Sequence, residues 1–150
     1  MATIDKLLEF CDATALNTGA PGTYLIGSQI DLESANINLG PGNPPVWLVV
    51  RCTTDVTVTT TTGTLAIKLA SDDTASISTT TSTVHIVSAT LTGTDVDAGD
   101  PILVMALPSG VYERYLGILQ VTGTEALTGG NIDAYLTMNP PNWRAYPDGI

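Results

Sequence analysis

From residue 20 onward, apolar and polar residues alternate with a period of two, the spacing that sends successive side chains to opposite faces of a strand. In "TLAIKLA" this puts Leu65, Ile67 and Leu69 on one face and Thr64, Ala66 and Lys68 on the other. "VWLVVRC" (Val46 to Cys52) is apolar on both faces and predicts a central strand with Trp47 in the core. "YLIGSQIDL", "TVHIVSATLT", "PILVMALP", "RYLGILQVTG" and "NIDAYLTM" complete the set, divided by the turn formers of "NLGPGNPP", "SDDT", "TDVDAGD", "LPSG" and "LTGG". Seven or eight short strands at near-regular spacing predict an all-β fold, an antiparallel β-sandwich of jelly-roll type. The tract "TVTTTTGT" (Thr57 to Thr64) reads as a hairpin bent at Gly63 with hydroxyls on its outer face.

The two ends of the chain depart from this pattern. Ile4, Leu7, Leu8 and Cys11 have helical spacing, whereas Leu8, Phe10 and Asp12 have strand spacing, so the first residues are expected as an arm whose local structure periodicity does not decide. At the other end, Pro140, Pro141 and Pro147 exclude strand and helix alike, leaving an irregular tail over 139–150. The expected organisation is one domain, 1–150, with its core over about residues 20–138. Trp143, Arg144 and Tyr146 in the tail are residue types that dominate interface energies. Two seats stay open for them: the chain's own sandwich, or another chain, which is the sharper expectation.

Composition supports strands and narrows the partners. The chain has 24 threonines, which with Val and Ile favour a pleated surface. Five Lys and Arg stand against fifteen Asp and Glu, a net charge of −10, so the clustered cations that duplex nucleic acid or an anionic membrane would need are missing. "MATIDKLLEF" lacks the basic start and apolar core of a signal peptide, and no apolar run is long enough to span a bilayer, so synthesis in the cytoplasm is expected. Cys11 and Cys52 are expected as two buried free thiols.

Catalytic patterns are weak. His85 is the one histidine, alternating with Val84 and Ile86 as a half-exposed strand residue would, and no Gly-x-Ser-x-Gly elbow accompanies it. Asp95, Asp97 and Asp100 have the spacing of part of a calcium loop, but the position that would close it with a bidentate Glu is Ala106. A solvated turn is the expectation, with no metal. Arg114, beside Glu113 at a strand entrance, is expected to hydrogen-bond a turn carboxylate or carbonyl, with a subunit contact as its other role.

The order of segments is itself informative. "DKLLEFCDATAL", "IDL", "LGPGNPPVWLVV", "TLAIKLASDD", "AGDPILVMALPSGVYERYLGILQVTG" and "GGNIDAYLT" resemble the small capsid cement (decoration) proteins of tailed double-stranded DNA bacteriophages, of the Bordetella-phage type, over about residues 4–138. The most specific piece is the Leu-Pro turn, a Gly, then Arg-Tyr-Leu entering a strand. Cys11, Thr14 and the tail depart from that pattern. The resemblance implies a jelly-roll-like sandwich with no cofactor and no enzymatic role. It also implies binding to the assembled major capsid protein on the outer surface of the virion. Unpaired sheet edges add the expectation of a homodimer. A carbohydrate- or receptor-binding sandwich of a phage adhesin is the alternative.

Overall fold

The structure is a computed structural model and describes residues 5–40 and 45–138. Among the described residues nine strands follow one another: β1 (Glu9–Ala15), β2 (Gly22–Asp31), β3 (Trp47–Val58), β4 (Thr64–Asp72), β5 (Thr83–Val87), β6 (Leu91–Thr92), β7 (Pro101–Ala106), β8 (Tyr115–Gly123) and β9 (Leu127–Thr137). Short 3-10 turns at Lys6–Leu8 and Gly93–Asp95 are the helical elements among the described residues. The first sheet has the order β1-β9-β3-β7 and the second β2-β8-β4-β5, with the two-residue β6 on β4. Every pairing is antiparallel. Two such sheets face to face make the expected all-β sandwich, and their strand order is that of a jelly roll.

Alternation builds the core between the sheets. Leu48, Val50 and Cys52 of β3 and Ile132, Ala134 and Leu136 of β9 face Leu65, Ile67 and Leu69 of β4 and Leu116 and Ile118 of β8. Each fully buried Leu or Ile contributes about 1.5–3 kcal/mol. A one-residue slip would turn each row outward, so the register is strongly specified. As expected, β3 is central and Leu65, Ile67 and Leu69 share the inner face.

Three expectations are corrected. The core does not begin near residue 20: Phe10, Cys11 and Leu16 belong to it, and Glu9–Ala15 is a strand paired with β9. Two register shifts and the positive φ of Ala13 (45°) bury the consecutive residues Phe10 and Cys11, which erases the period of two. Residues 57–64 are not a hairpin, because β3 and β4 lie in different sheets and 59–63 crosses between them. Gly63 serves close packing there: a Cβ would stand 2.6 Å from Val58 Cγ1. Finally, Trp47 lies on the outward face of β3, half-buried and outside the inner core.

A second, smaller core lies on the outer face of the second sheet. The loop 73–82 lays Ile77 against Ala70 and Leu119, with Leu25 and Tyr115 alongside. Gly117 makes room for it, since a Cβ there would be 2.4 Å from Ile77 Cδ1.

Candidate functional site at the loop end of the sandwich

The registers bring one set of strand ends together. Asp31 and Asp72 both pair with Tyr115, Trp47 pairs with Ala106 and Thr137, Ser71 with Thr83, and Glu9 with Tyr135. The described parts of the connection after β2 (32–40 and 45–46) and the connections 73–82 and 107–114 therefore share one end with the start of β1 and the end of β9. Connections 16–21, 59–63, 88–100 and 124–126 occupy the opposite end; they hold Asp95, Asp97, Asp100 and Glu125 and contain no Lys or Arg of their own, though Arg51 of β3 donates to Gly99 O there.

The loop end is knitted around Tyr112, which is fully buried. Its hydroxyl donates to Pro108 O at 2.6 Å, and its main chain exchanges hydrogen bonds with Ile37. Asn38 Oδ1 accepts from Gly110 N and Gly40 N, both at 3.2 Å. Gly40 packs so closely that a Cβ would fall 2.2 Å from Pro108 O. The Tyr112 ring stacks on His85 with centroids 4.0 Å apart, and burial holds His85 below the usual histidine range. His85 Nε2 and the Ser71 hydroxyl share a 2.7 Å hydrogen bond, and Ser71 Oγ also accepts from Glu113 N at 3.2 Å.

Arg114 finds a carboxylate, as expected. Its Nε and Nη2 donate to the two oxygens of Asp31, each at 2.9 Å, in a bidentate fork that ties the end of β2 to the entrance of β8. The guanidinium holds the Asp31 carboxyl below its ordinary range and also lies 5.0 Å from the Tyr115 ring. Leu32 N donates to Arg114 O across the same junction. Glu113 accepts from the Thr83 hydroxyl at 3.0 Å, which joins 107–114 to β5. Both charges of the Glu113–Arg114 pair thus fasten neighbouring segments.

Ser71 and His85 have the spacing of a nucleophile and base, a proximity that sequence reading missed. Ser71 is fully buried, however, and its oxygen is engaged by Glu113 N, so no substrate reaches it. The acidic turn at the opposite end is likewise tied to its own backbone: Asp100 Oδ2 accepts from Asp97 N, and Asp55 Oδ1 from Ala98 N. Among the described residues no group of three His, Cys, Asp or Glu is placed to hold a metal. An open groove of about 580 Å³ runs between β1 and β2; there Lys6 sits between Glu9 (2.8 Å) and Asp12 (3.2 Å). Trp143, Arg144 and Tyr146 lie outside the described residues.

The family model named Bbp16 matches residues 10–136, from Phe10 in β1 to Leu136 in β9. The chain belongs to the Bbp16 family. The match takes in both sheets of this Bbp16 protein and every connection of the loop end. Among curated proteins there is no significant match.

The apolar side chains of this Bbp16 protein are unevenly exposed. Six large ones are exposed among the described residues: Leu7 (83%), Val84 (42%), Val87 (55%), Met105 (46%), Val111 (61%) and Met138 (63%). All but Val87 lie at or beside the loop end. Single exposed hydrophobics are ordinary on a protein surface, and five of these six fall toward one end. Periodicity gave no warning of this, because Leu7, Val111 and Met138 fall outside the strands.

Proposed function

We propose that this Bbp16-family protein is a structural protein of a tailed, double-stranded DNA bacteriophage virion, binding the assembled major capsid protein through its loop end and cementing the head. The observation that carries the reading is the gathering of Leu7, Val84, Met105, Val111 and Met138 around a rigid knot of loops. Aliphatic side chains on a preorganised scaffold suit a protein surface. A glycan site would present exposed rings; among the described residues Phe10, Tyr112 and Tyr135 are buried, and Tyr24, Trp47 and Tyr115 half-buried. That weighs against a carbohydrate-binding module. Family membership and the segment order described above give the same direction.

The physics of cementing follows from linkage. A protein that binds the assembled lattice better than the free subunit shifts the equilibrium toward the intact shell. Many copies bridging neighbouring subunits multiply a modest affinity. An interface of about 1,200–2,000 Å² is within reach of a domain this size. The net charge of −10 suits the outer surface, away from the genome. Association of copies as a twofold dimer belongs to the same proposal, with the outer edge of β7, which pairs only with β3 among the described residues, as the available ladder.

The test is to mix purified protein with capsids that lack it. Saturable binding is expected, weakened about tenfold or more by Met105→Asp with Val111→Asp. Absence of binding to shells, or glycan-array binding alone, would overturn the reading.

A further inference from the structure

The groove between β1 and β2 lies where both sheets leave a strand edge open. Among the described residues β1 pairs only with β9 and β2 only with β8, so one edge of each is unpaired there. The register of β2 on β8 shifts between Ile26 and Ile30, and Gly27, Ser28 and Gln29 have no partner on β8. This bulge sets the three residues on the groove wall, with main-chain groups that β8 leaves unmatched. Gly27, at a φ of 72°, lets the two strands approach: a Cβ there would stand 2.2 Å from Phe10 O and 2.5 Å from Cys11 Sγ. Phe10, Cys11 and Ile30, all buried, give the groove an apolar floor.

The charge around that floor is mostly of one sign. Glu9, Asp12, Asp31 and Glu33 line the groove, and Lys6 is the single cation among the lining residues. Arg114 is committed to both oxygens of Asp31, which still leaves an excess of two negative charges. A cleft of one sign with apolar walls concentrates the opposite charge. Lys6 shows how a cation is seated there, with Nζ 2.8 Å from Glu9 and 3.2 Å from Asp12. Its side chain is nevertheless 77% exposed, so solvent screens the pair and a competing cation can displace it. Among the described residues no three such groups converge to hold a metal, so the arrangement suits cations spread along a chain.

We propose that this groove takes an extended, Lys- or Arg-bearing segment of a partner protein, laid as an added strand along the open edge of β2. The unpaired edge supplies main-chain hydrogen bonds, and alternate side chains of the guest turn toward the floor. Aliphatic stems of Lys or Arg then lie over Phe10 and Ile30 while their charged heads reach the carboxylates. One head takes the place of Lys6 between Glu9 and Asp12, and another meets Glu33. The groove's volume of about 580 Å³ falls within the roughly 300–1,000 Å³ of binding clefts. The same carboxylates repel an acidic segment. The inference rests on the groove alone and does not depend on the capsid reading.

The probe is a fluorescein-labelled ten-residue peptide alternating Lys and Thr, with blocked ends, titrated with the full-length chain at low salt and read by fluorescence polarisation. Saturable binding is expected, with amide exchange slowed over residues 27–31. Asp12→Asn with Glu33→Gln, both exposed positions, should weaken binding about tenfold while far-UV circular dichroism stays native. Asp95→Asn with Asp97→Asn removes the same charge from the opposite end and should leave binding unchanged. Lys6→Ala should tighten it several-fold and Lys68→Ala should not, because only Lys6 occupies the seat. A peptide N-methylated at alternate residues keeps its charge but cannot complete the ladder, and should bind about tenfold more weakly. Absence of saturable binding would overturn the proposal. So would equal losses from the two pairs of acidic variants, which reveal only general attraction to an acidic protein, or undiminished binding of the N-methylated peptide, which removes the added strand.

Discussion

Ile77 and Gly117 form a packing pair that can be read from both sides. Ile77 is 3% exposed and covers Leu119 and Ala70, holding the loop 73–82 to the second sheet. Ile77→Ala removes three carbons from a closed site, and burial of this kind costs about 2–4 kcal/mol to lose. Gly117→Ala works from beneath: its methyl would start 2.4 Å from Ile77 Cδ1 and 3.1 Å from Leu25 Cδ1, so Ile77 must be displaced, at about 1–3 kcal/mol. In the double variant the new methyl fills part of the space that Ile77 vacates. Its cost should therefore fall below the sum of the singles by about 1–2 kcal/mol. Urea unfolding of the four proteins measures this, and at this chain length each kcal/mol corresponds to about 2–4 °C in Tm. Additive costs, or an Ile77→Ala cost near zero, would show that the loop is not anchored there.

Other outcomes follow from individual contacts. Burial lowers the His85 pKa, so the folded state favours the neutral ring: its contribution is complete above the unfolded value of 6.5 and is lost as pH falls from there toward the folded pKa. Tm should drop between pH 7 and pH 5, and His85→Asn should flatten that part of the profile; an unchanged slope would exclude His85 as its source. The free thiols Cys11 and Cys52 are buried, and burial pushes Cys11 up to about 11, so neither should react with a thiol reagent at pH 8 until the protein is unfolded. A two-dalton mass deficit in non-reduced protein would instead reveal a disulfide. Arg114→Lys cannot reproduce the two-pronged bond to Asp31, so amide hydrogens of 32–46 and 107–114 should exchange faster while the central strands stay protected. Equal protection in both proteins would remove Arg114 from the fastening of the loop end.

Strands β3, β4, β8 and β9 were legible because they are central or nearly so, and their inward rows alternate without interruption. The first strand was not, since its bulges bury two neighbours in sequence, Phe10 and Cys11. The crossing at 59–63 looked like a hairpin because alternation records which side chains turn inward, and β3 and β4 both do so from opposite sheets. Trp47 shows the same blindness: an apolar residue on a central strand can serve either face. At the loop end, the kind of partner for Arg114 followed from chemistry, but its identity did not, as Asp31 lies 83 residues away. Tyr112, His85 and Ser71 meet only after three separate connections are folded, and no local spacing records that.

The pairing of β1 with β9 also sets the order in which this chain can mature. Ala13 and Asp133, joined by a hydrogen bond, are 120 residues apart. During synthesis the first strand leaves the ribosome early and waits for the last, with β9 needed between β1 and β3 before the first sheet is continuous. Non-local pairings of this kind close late, because the entropy of joining distant segments is met before their contacts form. In the interval Phe10 and Cys11 lack their cover, and the inner rows of β3 lack a neighbour on that side. Completion is therefore a single late event, and the groove between β1 and β2 comes into being only with it.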